Sequence, residues 1–146
     1  SESYRIIGLA QTLSNSKSSE GVQNCIKALQ YAASTKDLRT INIAKLAIAE
    51  AYLNIGKNSD ALEAALQAKE YFVTGGLQES GWRAWLMAAR ASQQKGDWAN
   101  AKEYASKALE MLSKLQTDWG EDHFKIYLAK PDINFYFKQV EELIQS

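Results

Sequence analysis

Gly96–Leu112 reads "GDWANAKEYASKALEML", and forty residues earlier Gly56–Phe72 reads "GKNSDALEAALQAKEYF". In the later copy Trp98, Ala101, Ala105, Ala108, Leu112 and Leu115 step by three and four, while Lys102, Glu103, Ser106, Lys107, Glu110 and Lys114 take the other side. Steps of that size fall on one stripe of a 3.6-residue helix, so the segment reads as an amphipathic helix with one buried face. Sliding the chain against itself by forty residues gives ten identities between residues 42–73 and 82–113. They are Ala44/Ala84, Leu46/Leu86, Ala49/Ala89, Ala51/Ala91, Gly56/Gly96, Ala61/Ala101, Glu63/Glu103, Ala65/Ala105, Ala68/Ala108 and Glu70/Glu110. The matched glycines fall where one helical pattern ends and the next begins, which makes the repeat structural and not merely compositional.

Each unit therefore reads as a helix, a tight turn at Gly56 or Gly96, and a second helix whose alanines allow close packing on the first. A fainter copy opens the chain, where Gly21, Cys25, Ala28 and Tyr31 stand forty residues before Ala61, Ala65, Ala68 and Tyr71 and follow the apolar helix "YRIIGLAQTL". Three repeats and six helices are expected, over about residues 3–34, 42–75 and 82–115. The composition agrees, with a single Pro among 146 residues, no alternating Val, Ile and Thr, and Ala, Leu, Glu, Lys and Gln dominant. At this length roughly 70% of the unfolded chain's surface can be buried in one domain.

These residues resemble the tetratricopeptide repeat, with its W-x2-L-G-x2-Y, A-x3-F and further Ala pattern. In the third unit Trp85 takes the Trp position, Ala88 and Ala89 the Leu-Gly pair, Ser92 the Tyr position, Ala101 and Ala108 the Ala positions and Ala105 the Phe position. In the second, Tyr52, Ala61 and Ala68 match while Lys45 replaces the Trp; in the first, Tyr4, Ile7 and Gly8 match with one extra residue before the turn. No unit carries the terminal Pro. The forty-residue period is similar to the long-repeat branch typified by kinesin light chain and the Leu-Gly-Asn-type scaffold proteins, with the extra residues placed in "STKDLRT" and "VTGGLQES". The resemblance implies an all-α, right-handed superhelical array of three helix-turn-helix units.

Beyond Leu115 the register fails, since Tyr136 stands where a turn glycine would fall. Trp119, Phe124, Tyr127 and Leu128 suggest a short helix, and Pro131 at a first-turn position starts another with Ile133, Phe137, Val140 and Ile144 on one stripe. Its other side carries Lys138, Gln139, Glu141 and Glu142, so residues 117–145 read as a capping helix pair that covers the last face of the array.

Seventeen basic residues balance seventeen acidic ones without a long like-charged run, which points away from nucleic acid and from a membrane surface. The single Cys forms no internal disulfide and no apolar run reaches a membrane span, so a cytoplasmic location is the expectation. The chain begins at Ser1 without a Met and reads as a piece of a longer protein. Chemistry has few candidates. His123 is the only His, far in sequence from Cys25; no glycine-rich phosphate loop occurs, Gly75-Gly76 reads as a turn, and adjacent pairs such as Glu121-Asp122 and Glu141-Glu142 do not face each other on a helix. Neither an enzyme, a metal nor a cofactor is expected.

The resemblance puts a partner-binding groove on the first helices of successive repeats. Its candidates are Ile43, Leu46, Ala47, Glu50, Leu53 and Asn54 from the second unit and Arg83, Leu86, Met87, Arg90, Gln93 and Gln94 from the third, with Ile6, Ile7 and Ala10 from the first. A peptide or amphipathic helix would rest on Leu46, Leu53, Leu86 and Met87 and be oriented by Glu50, Arg83 and Arg90. Coverage of the same face by neighbouring helices and the tail is the alternative, and a structural spacer, a homo-oligomer interface or a regulatory domain of a larger signalling protein the corresponding role. Chaperone-tail receptors of the family clamp a carboxylate with Lys and Asn, which these faces lack, so a chaperone C-terminus is not expected as ligand. Among the aromatics, Trp85 and Trp98 are expected in the core, and Trp82 and Trp119 as surface anchors for a partner.

Overall fold

The computed structural model describes residues 19–145. The opening helix expected at "YRIIGLAQTL", with Tyr4, Ile6, Ile7, Gly8 and Ala10, lies outside the described residues. Within them the chain is all-α: α1 (Ser19–Thr35), α2 (Leu38–Asn54), α3 (Asn58–Thr74), α4 (Gln78–Gln94), α5 (Trp98–Trp119), α6 (Glu121–Ala129) and α7 (Pro131–Gln145). Each of α1 to α6 packs on the next helix in sequence. Helices α2, α3 and α4 are 17 residues each. Two such helices and two three-residue turns make up the forty-residue period. Most residues of "STKDLRT" and "VTGGLQES", where the extra residues of the repeat were placed, extend the flanking helices and leave only short reversals at Lys36-Asp37 and Gly75–Leu77.

The reversals share one geometry. After α2, Gly56 has φ 79°, its N–H donates to Leu53 O at 3.2 Å, and Lys57 N–H donates to Tyr52 O at 2.9 Å. These paired bonds close the helix end on a left-handed residue and satisfy carbonyls that the helix leaves open. The same two bonds recur after α4, from Gly96 to Gln93 O at 2.9 Å and from Asp97 to Ser92 O at 2.9 Å. After α1 the left-handed position is held by Lys36, at φ 58°, a conformation that strains any residue with a Cβ. Asp37 then caps α2, its Oδ1 accepting from Arg39 N–H at 3.1 Å and its Oδ2 from the Thr40 hydroxyl at 2.8 Å. The Thr40 bonds hold the Asp37 carboxyl below its ordinary pKa.

The alanine ladder is the interior. Ala44, Ala49, Ala51, Ala61, Ala65, Ala68, Ala84, Ala89, Ala91, Ala101, Ala105 and Ala108 are all 2% exposed or less. Small side chains bring helix axes close, and larger residues close the ends of each layer: Phe72, Leu86, Leu112 and Trp82 are fully buried. At Gly81 of α4 the Met111 side chain of α5 fills the space of a side chain, its Cε 2.5 Å from where a Cβ would stand. Cys25 is buried at a position of the ladder where a small residue was expected. The first helices of successive pairs, α2 and α4, touch each other, whereas the second helices α3 and α5 do not. Residues 117–119 belong to α5, which runs to Trp119, and Gly120 at φ 83° breaks it before the expected helix pair α6 and α7. The buried stripe of α7 is Ile133, Tyr136, Val140 and Leu143; Phe137 and Ile144, expected on it, are half-buried at its edge.

The turn geometry predicts opposite effects for two substitutions. Lys36→Gly should stabilise the chain by about 0.5–1 kcal/mol by removing a left-handed Cβ, whereas Gly56→Ala should destabilise it by about 1–2 kcal/mol. No atom lies within 4 Å of a Cβ at Gly56, so that loss reports the backbone alone, and urea unfolding midpoints check both.

Candidate functional site

Of the residues expected to line a groove, Glu50, Arg83 and Arg90 come together, and α7 lies against them. Helix α7 packs across α4 and α5, and its Tyr136 reaches α2. The Tyr136 hydroxyl donates to Glu50 Oε1 at 2.9 Å, and Arg90 Nη1 donates to Glu50 Oε2 at 3.4 Å. Glu50 and Arg90 are forty residues apart, so they are the same position in successive repeats and meet because α2 and α4 lie side by side. Arg83, two helical turns before Arg90, places its Cζ 4.8 Å from the centroid of the Tyr136 ring. A cation over an aromatic face is attracted by the ring's negative quadrupole.

The apolar candidates belong to the same hydrophobic core as the buried side of α7. Leu46, Leu53, Leu86 and Met87 are buried, Ile43 and Asn54 are half-buried, and Gln94 is exposed at the end of α4. Arg90 also approaches Met87 Sδ at 3.8 Å. Thus Leu46, Leu53, Leu86 and Met87 do not form an open floor; core neighbours cover them. Glu50 is 7% exposed, and a carboxylate so deep requires a cation and hydrogen-bond donors to offset its lost hydration.

The tryptophans exchange the places expected of them. Trp82 is no surface anchor: it is fully buried, and its indole N–H donates to the Tyr127 hydroxyl of α6 at 3.0 Å. Trp98, expected in the core, is 52% exposed. As the first residue of α5 its side chain leans toward the helix N-terminus, past the end of the packed layer. Trp85 is half-buried, stacked on Tyr104 at 5.6 Å with Lys69 4.9 Å over its ring. Trp119 is partly exposed, edge-on to Tyr127 at 5.1 Å, and borders a shallow cleft of about 310 Å³ with Glu79, His123, Ile126 and Lys130.

Burial pushes the Tyr136 hydroxyl up to about 12, with the Glu50 charge acting in the same direction. Burial likewise raises Tyr127 to about 12, opposed by the Trp82 hydrogen bond. The Cys25 thiol is raised to about 11 by burial and then by Glu50, which keeps it protonated and a poor nucleophile. His123 is exposed in the first turn of α6. Among the described residues no cluster of His, Cys, Asp and Glu is arranged to hold a metal ion, and no helix is long and apolar enough to cross a membrane. What the site brings together is one buried carboxylate, two arginines and the hydroxyl of a covering helix.

Sequence reasoning missed Tyr136 as a partner of Glu50 and Tyr127 as the acceptor of the Trp82 indole. Tyr136 lies 86 residues from Glu50 in a helix without a repeat copy, so no periodic signal marks it. Comparison with protein-family models, with curated proteins and with solved structures found no match to the chain.

The raised tyrosines predict a loss of stability in alkali. An unfolded tyrosine ionises near 10 and these two near 12, so the unfolded chain releases its protons first. Their contribution is complete below pH 10 and is lost as the pH rises to 12, at most about 3 kcal/mol for each. The difference in unfolding free energy between wild type and Tyr136→Phe, followed from about pH 9 to 12, should shrink over that window.

Proposed function

We propose that this chain is a non-catalytic protein-interaction module of the tetratricopeptide type, curved as a right-handed superhelix, that docks a helical segment of a partner on the α2/α4 face. The observation that carries the reading is the packing of α7 across α4 and α5 beside this face, with its Tyr136 hydroxyl reaching Glu50 of α2 and its ring against Arg83. A surface that accepts one amphipathic helix in cis has the polar and charged groups to orient another in trans. Contact between α2 and α4 without contact between α3 and α5 supports an array that is concave on the α2/α4 side. The buried, protonated Cys25 and the exposed, solitary His123 support a role without catalysis. The balanced charge supports a protein partner in the cytoplasm over nucleic acid or a membrane.

The same coverage by α7 favours a second reading, in which the face is permanently closed and the array is a spacer, an oligomerisation unit or a regulatory domain within a larger signalling protein. Selection of helical peptides from a random displayed library with the intact chain separates the two. The docking reading expects amphipathic helices to be enriched and to lose at least tenfold in affinity on Arg83→Glu, with helix content unchanged. No enriched helix, or self-association of the chain in sedimentation, would move the assignment to the spacer reading.

A further inference from the structure

The seam under α7 differs from the rest of the interior. Glu50 is the one buried charged residue among the described residues, and here Tyr136 brings a hydroxyl to its carboxylate from the stripe of Ile133, Val140 and Leu143. The carboxylate does not depend on α7 for its counter-charge. Arg90 pairs with Glu50 from α4, so withdrawal of α7 removes one neutral donor and leaves the ion pair in place, open to water. Closure is also incomplete. Arg83 Nε, beneath the Tyr136 ring, and Gln139 Oε1, one turn along α7 from Tyr136, are both buried without a hydrogen-bond partner. Each has given up its hydration without return, which weakens the closed state relative to one that satisfies them.

We propose that α7 is a displaceable, autoinhibitory occupant of the docking face, and that the partner which replaces it is an amphipathic helix carrying a tyrosine for Glu50 and, one turn away, a carboxylate for Arg83. The proposal rests on the docking reading above and adds to it the competitor already in place and the chemistry that outcompetes it. A tethered helix occupies its site at high effective concentration, so a partner binds only the fraction of chains in which α7 has lifted. Tyr136 meets the Arg83 guanidinium with its hydroxyl and its ring but leaves the Nε–H unmet. An incoming carboxylate would satisfy it, and a charge-assisted bond to guanidinium is about twice as strong as a neutral one.

The test uses the intact chain, hydrogen exchange resolved to α4, α5 and α7, and two fluorescein-labelled synthetic peptides of residues 131–145, one native and one with Gln139→Glu. The amides of α7 should exchange at least tenfold faster than those of α4. Tyr136→Phe, which keeps the ring beneath Arg83, should speed α7 about tenfold more and raise affinity for the native peptide by the same factor, with α4 and α5 unchanged. The Gln139→Glu peptide should bind about fivefold tighter than the native one, an advantage lost in an Arg83→Gln chain. Exchange of α7 at the rate of α4, acceleration of all three helices together by Tyr136→Phe, or equal affinity of the two peptides would overturn the proposal. A library helix that binds through Arg83 without quickening α7 exchange would overturn it too while leaving the docking reading intact; failure of every helix to bind would remove both.

Discussion

The chain reverses direction within three residues after each 17-residue helix, and the array rests on that constraint. So short a reversal brings the next helix back antiparallel and in contact along its whole length, which is tolerable only if the facing side chains are small. Alanine at the contact positions follows from the turn, and the turn follows from a left-handed residue at the helix end. Glycine supplies it after α2, α3 and α4. Lys36 supplies it at the first reversal under strain, compensated locally by the Asp37 cap.

Small contact residues bury little surface apiece, so the array needs larger side chains to close its open layers. Trp82, Phe72 and Leu112 do this between pairs, and α7 does it across α4 and α5. Beneath the covering helix the structure admits a charged pair to its interior. The Glu50 carboxylate is answered by Arg90 within α2 and α4, and the tail adds only the neutral hydroxyl of Tyr136 to that pair. Elements held by neutral hydrogen bonds and modest apolar contact are those that open first in a folded chain.

The helices, their turns and the alanine ladder were legible in the sequence because each is set locally: a 3.6-residue period, a glycine at the break, a forty-residue echo. Cys25 fell on the ladder and is buried as its position required. The placement of the tail was not legible. Its stripe runs through Tyr136 and Leu143 where the pattern favoured Phe137 and Ile144, a rotation too small for apolar spacing alone to fix when aromatic residues crowd both sides. Trp82 and Trp98 were exchanged for a related reason. One finds a hydrogen-bond acceptor on a helix outside the repeat, and the other sits at a helix start beyond the packed layer, and neither circumstance has a counterpart forty residues away to reveal it.

Glu50 and Arg90 hold equivalent places in neighbouring units, and their pairing makes the order of the units matter. Repeats of one kind are interchangeable bricks when their touching faces are purely apolar. Opposite charges at one matched position remove that freedom: an acidic unit must be followed by a basic one, and a duplication that set two acidic units side by side would bury two carboxylates together. The array thus carries, in a single lateral contact, a rule of succession that limits how such a chain can lengthen or recombine.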